Sequence, residues 1–377
     1  MANFVLKQSP CRPWHEFIMF PWTSRVYKDY PNWVPPLISE DKKLFNPSIY
    51  PFHQNAEVNL FLLYDNNKPV ARVAAIINHN HNRFHNEKTG FFGFFECADS
   101  PEAAQYILDA AAKFCRERGM ERIRGPMNFS TNDTCGLLIE GFDSPPVIMM
   151  PYNPPYYINL LEKSEFAKAK DLYAYFADKS IEEKVPRLER LAGRVLADPA
   201  VKMRKLNIRN IRDEIRIIKD IYNNAWSRNW GFVPMTDAEF EYMAADMKKM
   251  VDPDLALVAE IGGNPAGFSL ALPDYNVIIK KCNGRLLPFG IFHFIFGKSR
   301  INTLRLLTMG VKREHQKRGL DVLFYLHTIK NGFAKGIFSG EFSWILEDNV
   351  MMNRIMETLG ARVYKKYRIY EKSLAGE

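Results

Sequence analysis

One order of elements is written twice along this chain, and that repeat limits the fold more than any other feature. Near the start, "VNLFLLYD" and "VARVAAIIN" read as two strands joined by the turn "NNKP", a hairpin signal. An apolar run, "FFGFFEC", predicts a third strand. "ADSPEAAQYILDAAAKFCRERG" predicts a helix. Asp99 or Ser100 can cap it, Pro101 suits its first turn, Gly119 suits its end, and Ala103, Tyr106, Ile107, Ala110, Ala111 and Phe114 recur at helical spacing. "ERIRGPMN" then reads as strand, "NPPYYINLLEKSEF" as helix and "KAKDLYAYFA" as strand. The second half opens on the strand "KMRKLNI" and two helices, "IRDEIRIIKDIYNNAWSRNW" and "TDAEFEYMAADMKKMV"; Thr236 and Glu239 form a capping box for the latter. A hairpin over "DLALVAEIGGNPAGFSLALPD", the strand "LRLLTMGV", the basic turn "VKREHQKRG" and a helix follow. "GEFSWILED", "NVMMNRIMETLG" and "ARVYKKYRIYEK" close the chain as strand, helix and strand. Asn153 opens "NPPYYINLLEKSEFAKAKDLYAY" and Asn349 opens "NVMMNRIMETLGARVYKKYRIYE"; with a one-residue gap, Tyr175 falls on Tyr370. Two weakly similar units of this size imply an internal duplication.

At 377 residues the chain is too long for one ordinary core, which agrees with two domains. The expected boundaries are 1–178 for a first domain, 179–200 for a charged linker helix, and 201–377 for a second domain with an aromatic insertion near 275–303. The first fifty residues are rich in proline and aromatics, so long regular elements are not expected there. A formal net charge of +8 favours an anionic partner: a cofactor phosphate, a membrane surface or nucleic acid. With no Arg-rich block and no zinc-finger spacing, nucleic acid is not expected. Five scattered cysteines without a C-x-x-C pair read as free thiols of a reducing compartment. "MANFVLKQSPCRPWHEF" lacks the apolar core of a signal peptide, and no apolar run approaches the roughly 20 residues that span a bilayer. The expected location is cytoplasmic, with peripheral membrane contact left open.

The order strand, helix, helix, hairpin, strand, basic turn, helix, strand, Asn-led helix, strand resembles the GNAT superfamily of acyl-CoA-dependent N-acyltransferases. The resemblance runs from Met203 to Lys372, with a weaker copy from Val58 to Phe176. "GFFGFFE", "RGPMNFSTND", "EGFDSPP", "YNPPYY" and "KDLYAY" are similar to motifs of a tandem-GNAT group of bacterial proteins, some linked to N-acylation of sphingoid bases. The resemblance implies an α/β fold of the α+β type: two GNAT-like domains, the first degenerate, each a mixed central sheet flanked by helices. It implies acyl-CoA or acetyl-CoA as co-substrate and no metal. It also implies a cofactor site. Gln316, Lys317, Arg318, Gly319 and Leu320 match the family's pyrophosphate loop, whose helix-opening amides point at the anion. Asp321 stands where glycine or alanine is usual; it either repels the phosphate or caps the helix. Met309 and Val311 fall on the splayed strand that offers backbone groups to the pantetheine arm. Asn349 resembles an arm-facing Asn, and it is equally a good helix N-cap. Many family members protonate the leaving thiolate with a Tyr seven residues beyond that Asn; here the position is Met356, and Leu160 in the first half. "ADSPEA" replaces the glycine loop in the first half, where Asp99 and Glu102 would repel a pyrophosphate, so that half is expected to shape the acceptor pocket.

Acylating an amine needs a base, and Glu347, at the end of "SWILE", is the first candidate. "NHNHNRFH" carries His79, His81 and His85; the first two share one side if the segment is a strand. Lacking a fourth ligand, they read as acceptor-site or loop histidines, and His81 and His85 join Glu347 as candidate catalytic residues. His53 and Glu57 carry nothing specific. "LLPFGIFHFIFG" is apolar on both faces: either buried packing or a hydrophobic mouth for a long acyl chain, flanked by Lys280, Lys281, Arg285, Lys298 and Arg300, which suit an anionic membrane surface. The expected function is transfer of an acyl group from a CoA thioester to an amine, with a lipid or long-chain amine among the acceptors. The alternative is a non-catalytic CoA-binding or membrane-peripheral protein on a decayed GNAT fold, which Asp321 and Met356 favour. The sequence leaves the oligomeric state open.

Overall fold

Both hairpins form, and each supplies the second and third strands counted from an edge strand. In the computed structural model, which describes residues 3–248 and 250–375, the chain divides into two units. The first holds Met1–Leu172, Ile278–Phe296 and Lys365–Glu377; the second holds Tyr173–Val277 and Gly297–Tyr364.

In the first unit, strands Ala56–Asp65 and Lys68–Asn78 pair antiparallel around Asn66 and Asn67. Both asparagines carry positive φ, as a tight two-residue turn requires. Thr89–Cys97 continues the antiparallel order and then pairs parallel with Arg122–Gly125. A parallel pair needs a crossover, and the helix Pro101–Arg116 supplies it. Ser100 accepts from the amide of Ala103 to cap that helix. Its Ala103, Ala104, Ile107, Leu108, Ala111 and Cys115 are buried with Phe61, Leu63, Val73 and Phe92. The last part of the strand Arg362–Ser373 pairs antiparallel with Arg122–Gly125 and Leu137–Glu140. Two of the recurring motifs have structural duties here. The Asn153 side chain accepts from the amide of Leu138 and donates to its carbonyl. Gly141 and Ser144, from "EGFDSPP", surround the buried ammonium of Lys365.

The first fifty residues are more regular than their prolines suggest. Phe4–Pro10 is a strand, paired antiparallel with Ala56–Asp65, and helices His15–Thr23 and Ile38–Leu44 follow. The prolines fall where little is lost. Pro10 ends an edge strand. Pro21 sits inside a helix and cannot donate to Phe17; the Arg72 guanidinium donates to the Phe17 carbonyl instead, at 2.7 Å. The histidine segment also differs from expectation. His79–His85 is a short helix, begun by Asn78 and ended by left-handed Asn86, so His79 and His81 do not share a strand face.

The second unit repeats the order. Val201–Lys205, Ala256–Ile261, Asn264–Pro273 and Thr303–Val311 run antiparallel in turn, and Ser339–Leu346 joins parallel. The helix Leu320–Ala334 is the crossover. It shares a core with Leu188 and Ala192 of the helix Val185–Leu196, so this charged segment is a packed layer of the second unit. On the opposite face lies the helix Ile211–Trp226, with Trp226 edge-on to Phe268. The helix Asp237–Met247 opens with the Thr236–Glu239 capping box. Among the described residues, no helix is long and apolar enough to cross a membrane.

Candidate active site

The strand Thr303–Val311 loses one of its two partners part-way along. It pairs with Ser339–Leu346 from Thr303↔Ser339 to Leu306↔Phe342, and no register pair follows although both strands run on. On its other side it stays paired with Asn264–Pro273, but the register slips by one residue at Leu307. A bulge bends its strand and sharpens the local twist. The bend parts the two parallel strands and makes a fork whose free edge runs through Met309 to Val311. The side chains of those two residues pack against the core beneath the crossover helix. What they present to the gap is backbone.

At the mouth of the fork the chain turns through a 3-10 segment, Arg313–His315, and then through Lys317 and Gly319, both at positive φ. Gly319 is the cap residue of the helix Leu320–Ala334, at φ 79°. A Cβ there would lie 2.7 Å from a Val195 methyl, so glycine is required by conformation and by space. Gln316, Lys317 and Arg318 are exposed, while Leu320 is buried and offers only its backbone. Arg318 pairs with Asp198 at 2.8 Å, and Lys312 with Asp220 at 2.5 Å. Asp321 lies in the first turn of the helix. Its carboxylate accepts from the amides of Asp321 and Val322, while burial raises its pKa above the ordinary value of 3.8. A phosphate brought to this helix opening would compete with a resident carboxylate.

That competition has a sign. Below the raised pKa the carboxyl is neutral and stops repelling an anion, so affinity for CoA should rise as pH falls towards that value, from a point above 3.8. At neutral pH, Asp321→Gly should tighten CoA about threefold to tenfold, the scale of a helix-terminal charge. Asp321→Asn should flatten the pH slope relative to the parent. Isothermal titration with CoA reads both, and an unchanged or weaker Asp321→Gly complex would remove the competition.

Where the strands part, a polar cluster lies buried. Arg305 and Glu341 are register partners, 1% and 0% exposed. Arg305 Nε donates to Ser343 Oγ at 3.0 Å and approaches Glu341 Oε1 at 4.0 Å. The Ser343 and Tyr364 hydroxyls both donate to the Glu341 carboxylate. Leu304, Leu306 and Phe342 face the crossover helix, so alternation turns Arg305, Glu341 and Ser343 to the other side of the sheet. The sequence alone points to Glu347 and not to this carboxylate; the signal for it is an acid and an arginine, each inside a predicted strand.

The other predicted residues are placed as follows. Glu347 stands just past the end of Ser339–Leu346, partly exposed, its carbonyl accepting from Asn353. Asn349 is the N-cap of the helix Val350–Thr358, accepting from the amide of Met352 at 3.2 Å. Met356 and Leu160 are both wholly buried. His81 and His85 belong to the first unit and Glu347 to the second. Burial, with help from His85 and Arg124, lowers the pKa of His81 to about 4. The His81–Glu87 contact at 3.4 Å is therefore a hydrogen bond from a neutral ring and not an ion pair.

The first unit has no matching fork. Its parallel pairing runs from Thr89↔Arg122 to Phe91↔Arg124. Gly93 then passes so close to Met127 that a Cβ would lie 1.9 Å from the Met127 carbonyl oxygen. Asn128 Oδ1 accepts the amide of Phe94 at 2.7 Å. Met127 and Asn128 close the gap that stays open in the second unit.

No protein-family model matches the chain. A tandem GNAT protein from the clavulanic acid biosynthesis pathway superposes with a TM-score of 0.58 over 99% of this chain and 100% of that one, at 11% identity. This likeness establishes the tandem GNAT fold. Protein YghO of Escherichia coli (strain K12) is 34% identical over 95% of this chain and 92% of its own length. Bacterial ceramide synthase of Caulobacter vibrioides (strain NA1000 / CB15N) is 34% identical over 95% of this chain and 94% of its own length. With that identity held along nearly the full length of both relatives, the chain belongs to the family of Protein YghO and bacterial ceramide synthase, built on the tandem GNAT fold.

Proposed function

We propose that the chain is an N-acyltransferase that moves an acyl group from a CoA thioester to the amine of a long-chain, lipid-like acceptor. The observation that carries this reading is the fork of the second unit, an open strand edge that ends at a basic, glycine-capped helix start. The pantetheine arm would run along Met309 to Val311, and the diphosphate would meet Gln316, Lys317, Arg318, Gly319 and the amide of Leu320. Asn349, spent on its helix, would help only by fixing the far wall of the fork. Kinship with a protein named bacterial ceramide synthase supports a lipid acceptor. Such an acceptor goes with a cytoplasmic protein in peripheral contact with a membrane.

In the proposed reaction the amine nitrogen attacks the thioester carbonyl. Its proton passes to a carboxylate, with Glu347 the group at the strand end. A strand N–H near Met309 to Val311 stabilises the oxyanion. The carbon–sulfur bond then breaks, and the thiolate takes a proton from water, since Met356 has none to give. Met356 supports a second reading, a protein that binds CoA without turnover. The test is to supply acetyl-CoA or palmitoyl-CoA with a long-chain amino alcohol and follow amide product and released thiol by mass spectrometry. Amide formation with the long donor is expected. CoA-induced thermal stabilisation without product would favour the binding protein; neither signal with any donor would overturn both.

A further inference from the structure

We infer that the aromatic insertion is a docking surface for a bilayer rich in anionic lipid. Large apolar side chains seldom cluster on a surface without a partner. Here Leu287, Phe289, Ile291, Phe292, Ile295 and Phe296 are all exposed, from 37% to 75%, within ten consecutive residues. Four of them lie on the helix Gly290–Gly297. The sequence alone leaves open whether this stretch is buried; the structure exposes its large apolar side chains except Leu286 and Phe294, which are half-buried.

Charge selects the partner. Lys280, Lys281 and Arg285 precede the apolar stretch, and Lys298 and Arg300 follow it, while no acidic residue occurs from Tyr275 to Arg313. Lys281, Arg285, Lys298 and Arg300 are exposed, and so is Lys280, whose ammonium donates to the carbonyl of Pro31. A mobile apolar loop would lose entropy on docking, but the root of this one is fixed. Gly284 accepts from the amide of Ile38 at 3.0 Å, and the Trp22 indole donates to Asn283 at 3.3 Å. Gly284 itself, at φ 80°, is pressed so close to Trp22 that a Cβ would lie 2.6 Å from the ring. A cavity of about 320 Å³, lined by Met19, Trp22, Ile38, Cys282, Asn283 and Arg285, opens at this root. An apolar helix held at its base, with cations before and after it in sequence and no acid among them, suits an anionic interface, its aromatics among the acyl chains. The inference rests on the proposed acyl transfer only for its purpose, which is to bring the enzyme to an acceptor dissolved in a membrane.

Vesicle co-sedimentation of the full chain, without acyl-CoA or amine, tests the surface separately from catalysis. Phosphatidylcholine vesicles containing phosphatidylglycerol should pellet the protein, pure phosphatidylcholine vesicles should do so less, and added salt should release it in part. The triple variant Phe289→Ser, Phe292→Ser, Phe296→Ser should bind at least about tenfold more weakly with an unchanged melting temperature. Lys281→Glu with Lys298→Glu should erase the preference for the anionic lipid. A parent that ignores both vesicles, or a triple variant that binds like the parent, overturns the inference. A parent dimer that the triple variant dissolves, with no vesicle binding, would assign the surface to a second copy of this chain instead. Loss of acyl transfer with vesicle binding intact would count against the proposed reaction alone.

Discussion

Glu341→Ala is expected to remove about 3–5 kcal/mol of folding stability, the scale for deleting one partner of a buried ion pair. The carboxylate is fully enclosed and is the acceptor for Ser343 and Tyr364 as well as the counter-ion of Arg305. Removing it takes away the counter-ion of a buried guanidinium and the acceptor of two hydroxyls at once. Replacing both charges with apolar residues, Arg305→Met with Glu341→Leu, should recover much of the loss, because the unpaired charge causes most of the penalty. Urea denaturation of the parent, the single and the double variant separates these terms. A single variant within about 1 kcal/mol of the parent would mean the cluster does not work as a unit. The double variant also asks whether the cluster positions the reaction. A folded protein with normal CoA binding and collapsed turnover would make Arg305 and Glu341 positioning residues of the fork.

Gly319→Glu should abolish the stabilisation that CoA confers. A ligand at a hundred times its dissociation constant adds about 2.7 kcal/mol to a protein that binds it only when folded. The substitution acts in two ways. Its Cβ meets Val195 at a backbone angle that L-residues resist, a strain of roughly 1–2 kcal/mol. Its carboxylate enters a loop proposed to hold a diphosphate, beside an aspartate already there. Gly319→Ala separates the two effects, carrying the strain without the charge. Thermal unfolding with and without CoA reads the outcome. If CoA raises the melting temperature of Gly319→Glu as much as that of the parent, the diphosphate is held elsewhere.

What the sequence made legible was mostly local. The hairpin turn at Asn66 and Asn67, the Ser100 cap and the Thr236–Glu239 box depend on neighbours a few residues apart, and all form. The duplication was legible because each half repeats the same order of such local signals. The fork was expected only through family resemblance; physically it comes from one slipped residue at Leu307 and from pairing that stops at Leu306, neither of which has a local signature. The helix Val185–Leu196 read as a linker because of its charges, yet its Leu188 and Ala192 are buried in the second unit's core. The edge strand Phe4–Pro10 was hidden by the proline-rich stretch it opens, and Arg72, which replaces the donor missing at Pro21, is distant in the chain. Glu341 was missed because its partners come from three separate stretches.

The seam sealed by Met127 and Asn128 has a bearing on stoichiometry. The two units share an order of elements but not the berth, so on the proposed reading each polypeptide takes up a single thioester molecule. The sealed half, relieved of carrying a nucleotide, is left free to specialise in other work.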